Sequence, residues 1–229
     1  MGMVSASDYT RSVHDRLDSL SDGRYYTRGK KDPSDAKRLV EEELPLAAVL
    51  KHLARPGIAV ECEHSNGYRS FDASIRLTDN RAGESAVEEF DIEITLAVGA
   101  NSHLIRESMA VHGFSSGDPA RSDGRKGDPA VPRGGMVQRY LVRDRDHDRK
   151  EAVELIRESI GRKNGKGYKE GTRLIVSTVN DGRPFSMEDW SYIMDSIQSD
   201  AIGSEFPVVY VVNPMQDHVL ELHNPRLPG

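Results

Sequence analysis

Three segments, Ile58-Ala59-Val60-Glu61-Cys62-Glu63-His64, Ser70-Phe71-Asp72-Ala73-Ser74-Ile75-Arg76-Leu77 and Glu89-Phe90-Asp91-Ile92-Glu93-Ile94-Thr95-Leu96, decide the fold of this chain. In each, apolar and polar residues alternate. A period of two places Ile58, Val60, Cys62 and His64 on one face of a strand, then Phe71, Ala73, Ile75 and Leu77, then Phe90, Ile92, Ile94 and Leu96. The short loops between the segments predict an antiparallel meander. Its other face carries Glu61, Glu63, Asp72, Glu89, Asp91 and Glu93 with only Arg76 as a cation. Carboxylates this close repel, so that face needs solvent, a cation or raised pKa values, and it is the first place to look for function.

Working outward, residues 7 to 20 read as a polar helix with Tyr9, Val13, Leu17 and Leu20 at helical spacing, and Gly23 to Pro33 reads as a basic linker. Residues 1–33 therefore form an N-terminal helix and linker, and residues 34–229 a single α/β domain. Ser34 is a candidate N-cap for a helix through Leu39 and Val49 to Leu53, which Pro45 kinks or restarts. After the meander, residues 102 to 112 predict a short helix, and Phe114 to Gly135, rich in glycine and proline, a mobile basic loop. Met136 to Val142 predicts a strand, and Asp148 with Glu151 resembles a capping box for a helix through Val153, Ile156 and Ile160. Thr172 to Val179 and Pro207 to Val212 read as strands buried on both faces, separated by a helix from Ser186, and His218 to His223 as an edge strand. Strand, helix, strand in this half implies parallel pairing. The expected architecture is a mixed sheet with helices on its faces.

The composition excludes several classes. The chain has 229 residues, 37% hydrophobic and 30% charged, with net charge -6. No apolar run approaches the roughly 18 to 20 residues that span a bilayer, and no signal-peptide core opens the chain, so the expectation is a cytoplasmic protein without membrane contact. The single cysteine, Cys62, rules out an internal disulfide framework and a multi-cysteine zinc site, and its place on an apolar face reads as a buried inert thiol. Net negative charge argues against a general nucleic-acid coat but leaves room for a local basic surface.

The order of elements and the residues Ser70-Phe71-Asp72 and Asp91-Ile92-Glu93-Ile94-Thr95 resemble the PD-(D/E)xK nuclease superfamily, with its restriction-endonuclease-like fold. Asp72 stands where the motif aspartate would be, Glu93 where the acid of Glu-x-Lys would be, and Thr95 where its lysine would be. Some members of that superfamily carry the lysine on the helix after the meander, and Lys163 and Lys166, in Arg162-Lys163-Asn164-Gly165-Lys166-Gly167-Tyr168-Lys169, match such a migrated lysine. The resemblance implies a hydrolase acting on phosphodiester bonds. Asp72, Glu93 and the Ile94 carbonyl would hold Mg²⁺ (or Mn²⁺), and a lysine would orient or deprotonate the attacking water. Arg121, Arg125, Lys126 and Arg133 of the basic loop would grip nucleic acid, DNA first, and a homodimer is an assembly this reading allows.

Each residue also has a plainer reading. Asp72 and Glu93 suit the wet face of any antiparallel sheet, the lysines suit a helix C-terminus, and the loop arginines suit solubility. Two other classes stay open: a nuclease-like binding module that lost its lysine, and a phage or mobile-element accessory protein that meets a protein partner through the acidic face.

Overall fold

The computed structural model describes residues 2–20, 38–65, 70–81, 85–98, 118–121, 136–139, 144–178, 185–214 and 216–227. A short strand β1 (Val4–Ser5) leads into α1 (Ala6–Leu20). The alternating segments become β2 (Ile58–His64), β3 (Ala73–Asp79) and β4 (Ala86–Leu96), paired antiparallel in sequence order, with β1 antiparallel on the outer edge of β2. Two further strands, β5 (Asp118–Arg121) and β6 (Met136–Arg139), form a separate antiparallel ribbon. Then β7 (Arg173–Ser177) joins β4 in parallel, β8 (Val208–Asn213) joins β7 in parallel, and β9 (His218–His223) closes the edge antiparallel. Among the described residues the main sheet runs β1-β2-β3-β4-β7-β8-β9. This is the expected mixed α/β sheet, with the meander leading into helix, strand, helix, strand.

Helices cover both faces, and the residue pattern says which. A π-helical turn (Leu39–Glu43) runs into α2 (Leu44–Leu53), and Leu46, Val49, Leu50 and Leu53 pack against Val60, Cys62, Ile75, Phe90, Ile92 and Ile94. Most of the alternating apolar set thus lies where its period places it, with Cys62 fully buried and its thiol pushed up to about 12 by burial, but Phe71, ahead of β3, and Leu96 are only half-buried and outside this core. On the opposite face lie α3 (Arg145–Lys163) and α4 (Met187–Ile202). Their Val153, Ile156, Ile160, Trp190, Ile193 and Ile197 surround Leu174, Val176, Val209 and Val211. Strands β7 and β8 are buried along their whole length because both faces are covered, which is why they are apolar throughout. On the α3–α4 face the meander contributes acids rather than apolar side chains: Glu61 and Arg76 are half-buried and Glu89 exposed there, while Asp91 and Glu93, beside β7, are buried.

Local expectations hold in part. The N-terminal helix, expected over residues 7 to 20, is α1, and it lies on the domain: β1 pairs with β2, and Val13 and Leu17 of α1 pack on Leu39, Leu44 and Ala47. Pro45 does restart the helix, as one branch of the expectation has it: the Leu44 amide donates to the Leu39 carbonyl, and the widened turn delivers Pro45 to the first turn of α2, where its missing N–H costs nothing. Helix α3 is capped by Asp144, whose carboxylate accepts from the His147 amide at 2.7 Å, rather than by Asp148 and Glu151. Of the basic stretch 114–135 only residues 118–121 are described, and they form β5. The predicted helix at 102–112 and the Ser34 cap lie outside the described residues. Among those described, no helix is long and apolar enough to cross a membrane.

Candidate active site at the end of the meander

Pairing of β3 with β4 reaches Ala73 and Ile92, and one residue earlier the Asp72 amide still donates to the Ile92 carbonyl at 2.9 Å. Beyond that point the strands part. The next amide of β4 on that edge, Ile94 N–H, is taken by the Asp72 side chain, whose Oδ2 accepts it at 2.7 Å. Asp72 thus replaces a missing backbone acceptor. This hydrogen bond holds its carboxylate beside Glu93.

Glu93 is buried on the polar face of β4. Its Oε1 accepts from the Lys163 amine and from the Tyr168 hydroxyl, the latter at 3.1 Å. Lys163 is the last residue of α3, and that helix end is tied to β4 by two donors to the Leu96 carbonyl, Ser159 Oγ at 3.0 Å and an Arg162 guanidinium nitrogen at 3.1 Å. Lys166 is exposed in the following turn and is not a partner of either carboxylate among the described residues. Of the two candidate lysines, then, the fold brings only Lys163 to the acids. Thr95 lies one residue past Ile94, at the register position of Val176.

Three other acids of the face, Glu61, Glu89 and Asp91, have partners that compensate them. Glu61, Arg76 and Glu89 face one another across β2, β3 and β4, with Arg76 Nε 2.5 Å from Glu89 and a terminal nitrogen 3.7 Å from Glu61. Asp91 accepts from Ser74 Oγ at 2.8 Å and lies 3.5 Å from Lys169 Nζ. Asp72 differs from these, since no ion pair to it is formed among the described residues. Burial raises its pKa to about 6, the Ile94 amide opposes the shift, and the negative charges of Glu93 and Glu42 add to it.

Glu42, from the π-helical turn, and His64, at the end of β2, join the edge of the site without a sequence motif to mark them. His64 Nδ1 is 2.8 Å from an Arg38 guanidinium nitrogen, its Nε2 is 3.8 Å from Glu42, and burial holds its pKa below the usual range. The same Nδ1 is also 2.8 Å from the Ser65 carbonyl oxygen, so the ring is held between the end of β2 and Arg38. The run Glu41-Glu42-Glu43 just ahead of the meander was the available signal for an extra acid here. Tyr168 carries no local signal of its role; burial and the Glu93 carboxylate hold its phenol well above the usual range, so it remains a donor.

Asp72, Glu93 and neighbouring backbone offer oxygen donors only, which suits a hard cation. Among the described residues no three His, Cys, Asp or Glu side chains group closely enough to hold a metal by themselves. A cation here would take two carboxylates and complete its shell with water and backbone carbonyl, the pattern of Mg²⁺ rather than of a protein-caged metal. Ile94 reaches Asp72 through its amide. Arg125, Lys126 and Arg133 lie outside the described residues, and Arg121 lies in β5. Compared with known proteins, the chain matches no family model, no curated protein and no solved structure.

Proposed function

We propose that this protein is a Mg²⁺- or Mn²⁺-dependent nuclease of the PD-(D/E)xK type, with a restriction-endonuclease-like fold, that hydrolyses phosphodiester bonds of nucleic acid. The observation that carries the reading is convergence from three elements: Asp72 ahead of β3, Glu93 on β4 and Lys163 at the end of α3. A migrated lysine accounts for Thr95, since the amine arrives from the helix instead of from two residues along the strand. In this reading Asp72 and Glu93 hold the cation, with the Ile94 carbonyl as a backbone ligand, and the bound ion supplies charge stabilisation at the phosphoryl group. Lys163, an ammonium paired with Glu93, would orient the attacking water and offset charge on the phosphoryl group, and Tyr168 keeps Glu93 aimed.

The second reading, a binding module that no longer cuts, is favoured by the pairing of Lys163 with Glu93, which engages the amine in a carboxylate contact. Incubating the purified chain with plasmid, single-stranded DNA and RNA, with Mg²⁺, Mn²⁺ or EDTA, separates the two. The nuclease reading expects cleavage that needs the cation and is lost in Asp72→Ala, Glu93→Ala and Lys163→Ala. Binding without cleavage under every condition supports the second reading and defeats the first.

A further inference from the structure

Between α3 and β7 the chain reads Arg162-Lys163-Asn164-Gly165-Lys166-Gly167-Tyr168-Lys169, four cations in eight residues and no acid, in a protein of net charge -6. The loop is held in place at several points. The Asn164 amide donates to the Ile160 carbonyl at 3.1 Å, and its side-chain oxygen accepts from the Glu205 amide at 3.3 Å. The Tyr168 ring lies against Phe206 with centroids 5.4 Å apart, and the Thr172 amide donates to the Lys169 carbonyl at 3.0 Å. Gly165 and Gly167, on either side of Lys166, have φ of +75° and +70°, a conformation that strains any side-chain-bearing residue, and no atom lies within 4 Å of where a Cβ would be. The loop thus displays Lys166 on a defined backbone. Lys163 and Lys169 reach Glu93 and Asp91, two positions apart on the same face of β4, so the loop runs alongside the carboxylate end of the meander.

We propose that this loop is the phosphate-binding edge of the site, with Lys166 and Lys169 holding the sugar-phosphate backbone of a nucleic acid and delivering it to Asp72 and Glu93 from the α3 side. The proposal rests on the nuclease reading. Charge decides the direction of approach: Glu61 and Glu89 flank Arg76 on the open meander face and repel a polyanion, while the loop attracts one. Lys169 is free to exchange its partner, because its side chain is 77% exposed and its pair with Asp91 is of the weak surface kind. Lys163, at 16% exposed, stays with Glu93.

The test is equilibrium binding of labelled 20-nucleotide single-stranded and duplex DNA in EDTA, followed across a salt series, alongside cleavage assays in Mg²⁺. Two phosphate contacts add about 1.8 to the slope of log K against log salt for duplex and about 1.4 for single strands. The Lys166→Ala/Lys169→Ala double variant should lose about that slope. Gly165→Ala/Gly167→Ala, which leaves every charge in place, should weaken binding several-fold with the slope retained. Arg76→Glu, on the meander face, should change affinity less than twofold. Unchanged affinity and slope in the double lysine variant would overturn the proposal, as would equal lysine-dependent binding of poly-glutamate, which points to an acidic protein partner. An absence of DNA binding at low salt overturns it too. Loop-dependent binding without cleavage supports the loop and defeats the nuclease reading, and cleavage indifferent to the loop does the reverse.

Discussion

The amine of Lys163, at the last residue of α3, is bonded to the carboxylate of Glu93 on β4, joining the helix after the meander to its central acid. The two side chains are only 16% and 11% exposed, so each charge depends on the other for solvation lost on folding. Lys163→Met should therefore destabilise by about 3 kcal/mol, or roughly 6–12 °C in Tm for a chain of this size, because a buried carboxylate is left with Tyr168 alone. Adding Glu93→Gln to Lys163→Met should recover most of the loss. A thermal-melt double-mutant cycle checks this, and additive losses would show that the pair carries no coupling.

Asp72 makes stability depend on pH with a definite sign. Its folded pKa of about 6 lies above the ordinary 3.8, so the folded state holds the proton more tightly than the unfolded chain does. The stabilisation is fully present below about pH 4 and is lost as pH rises through 6, an effect of roughly 1–3 kcal/mol after allowance for partial exposure. Asp72→Asn keeps an acceptor for the Ile94 amide and removes the titration. In EDTA, its denaturation midpoint should exceed that of the wild type at pH 8 and approach it at pH 4.5. Parallel pH curves for the two proteins would count against a raised Asp72.

A cation at the pair should narrow that difference. With Mg²⁺ at ten times its dissociation constant, binding to the folded state alone adds about 1.4 kcal/mol, or roughly 3–6 °C in Tm. The gain should appear in the wild type at pH 8 and vanish in Asp72→Asn and Glu93→Gln. Differential scanning fluorimetry with Mg²⁺, Mn²⁺ and EDTA measures it, and an equal shift in all three proteins would place any cation elsewhere.

The meander is legible in the chain because its strands are wet on one face, and only a half-buried strand writes its orientation as alternation. Strands β7 and β8 are recognisable as buried but not by face, and the same limit hides Arg173. It is buried beside Ile92, with its guanidinium 3.6 Å from the centre of the Phe90 ring and bonded to Tyr210 Oη at 3.2 Å and to Glu88. None of those partners is near it in sequence. The same holds at the site: Asp72 and Glu93 follow from strand period and register, whereas choosing Lys163 over Lys166 depends on where α3 ends against β4. The contact of Lys163 with Glu93 spans 70 residues, and no local pattern encodes it. Tyr168 is hidden for the same reason, reaching the same oxygen across 75 residues.

Tyr168 tests whether Glu93 needs two donors. Its ring rests on Phe206 and its hydroxyl donates to Glu93 Oε1 at 3.1 Å, so Tyr168→Phe removes one hydrogen bond and keeps the packing. Stability should fall by about 1 kcal/mol or less, since the lost bond is single and Lys163 remains. The larger consequence is positional. Released from one of its two donors, the carboxylate samples more orientations, and the Mg²⁺ concentration that half-saturates cleavage or the thermal shift should rise about tenfold or more. Tyr168→Leu separates ring from hydroxyl, because it should add a packing loss in Tm without a further change in the Mg²⁺ midpoint. If Tyr168→Phe leaves that midpoint unchanged, Tyr168 is only a wedge against Phe206, and Lys163 alone positions Glu93.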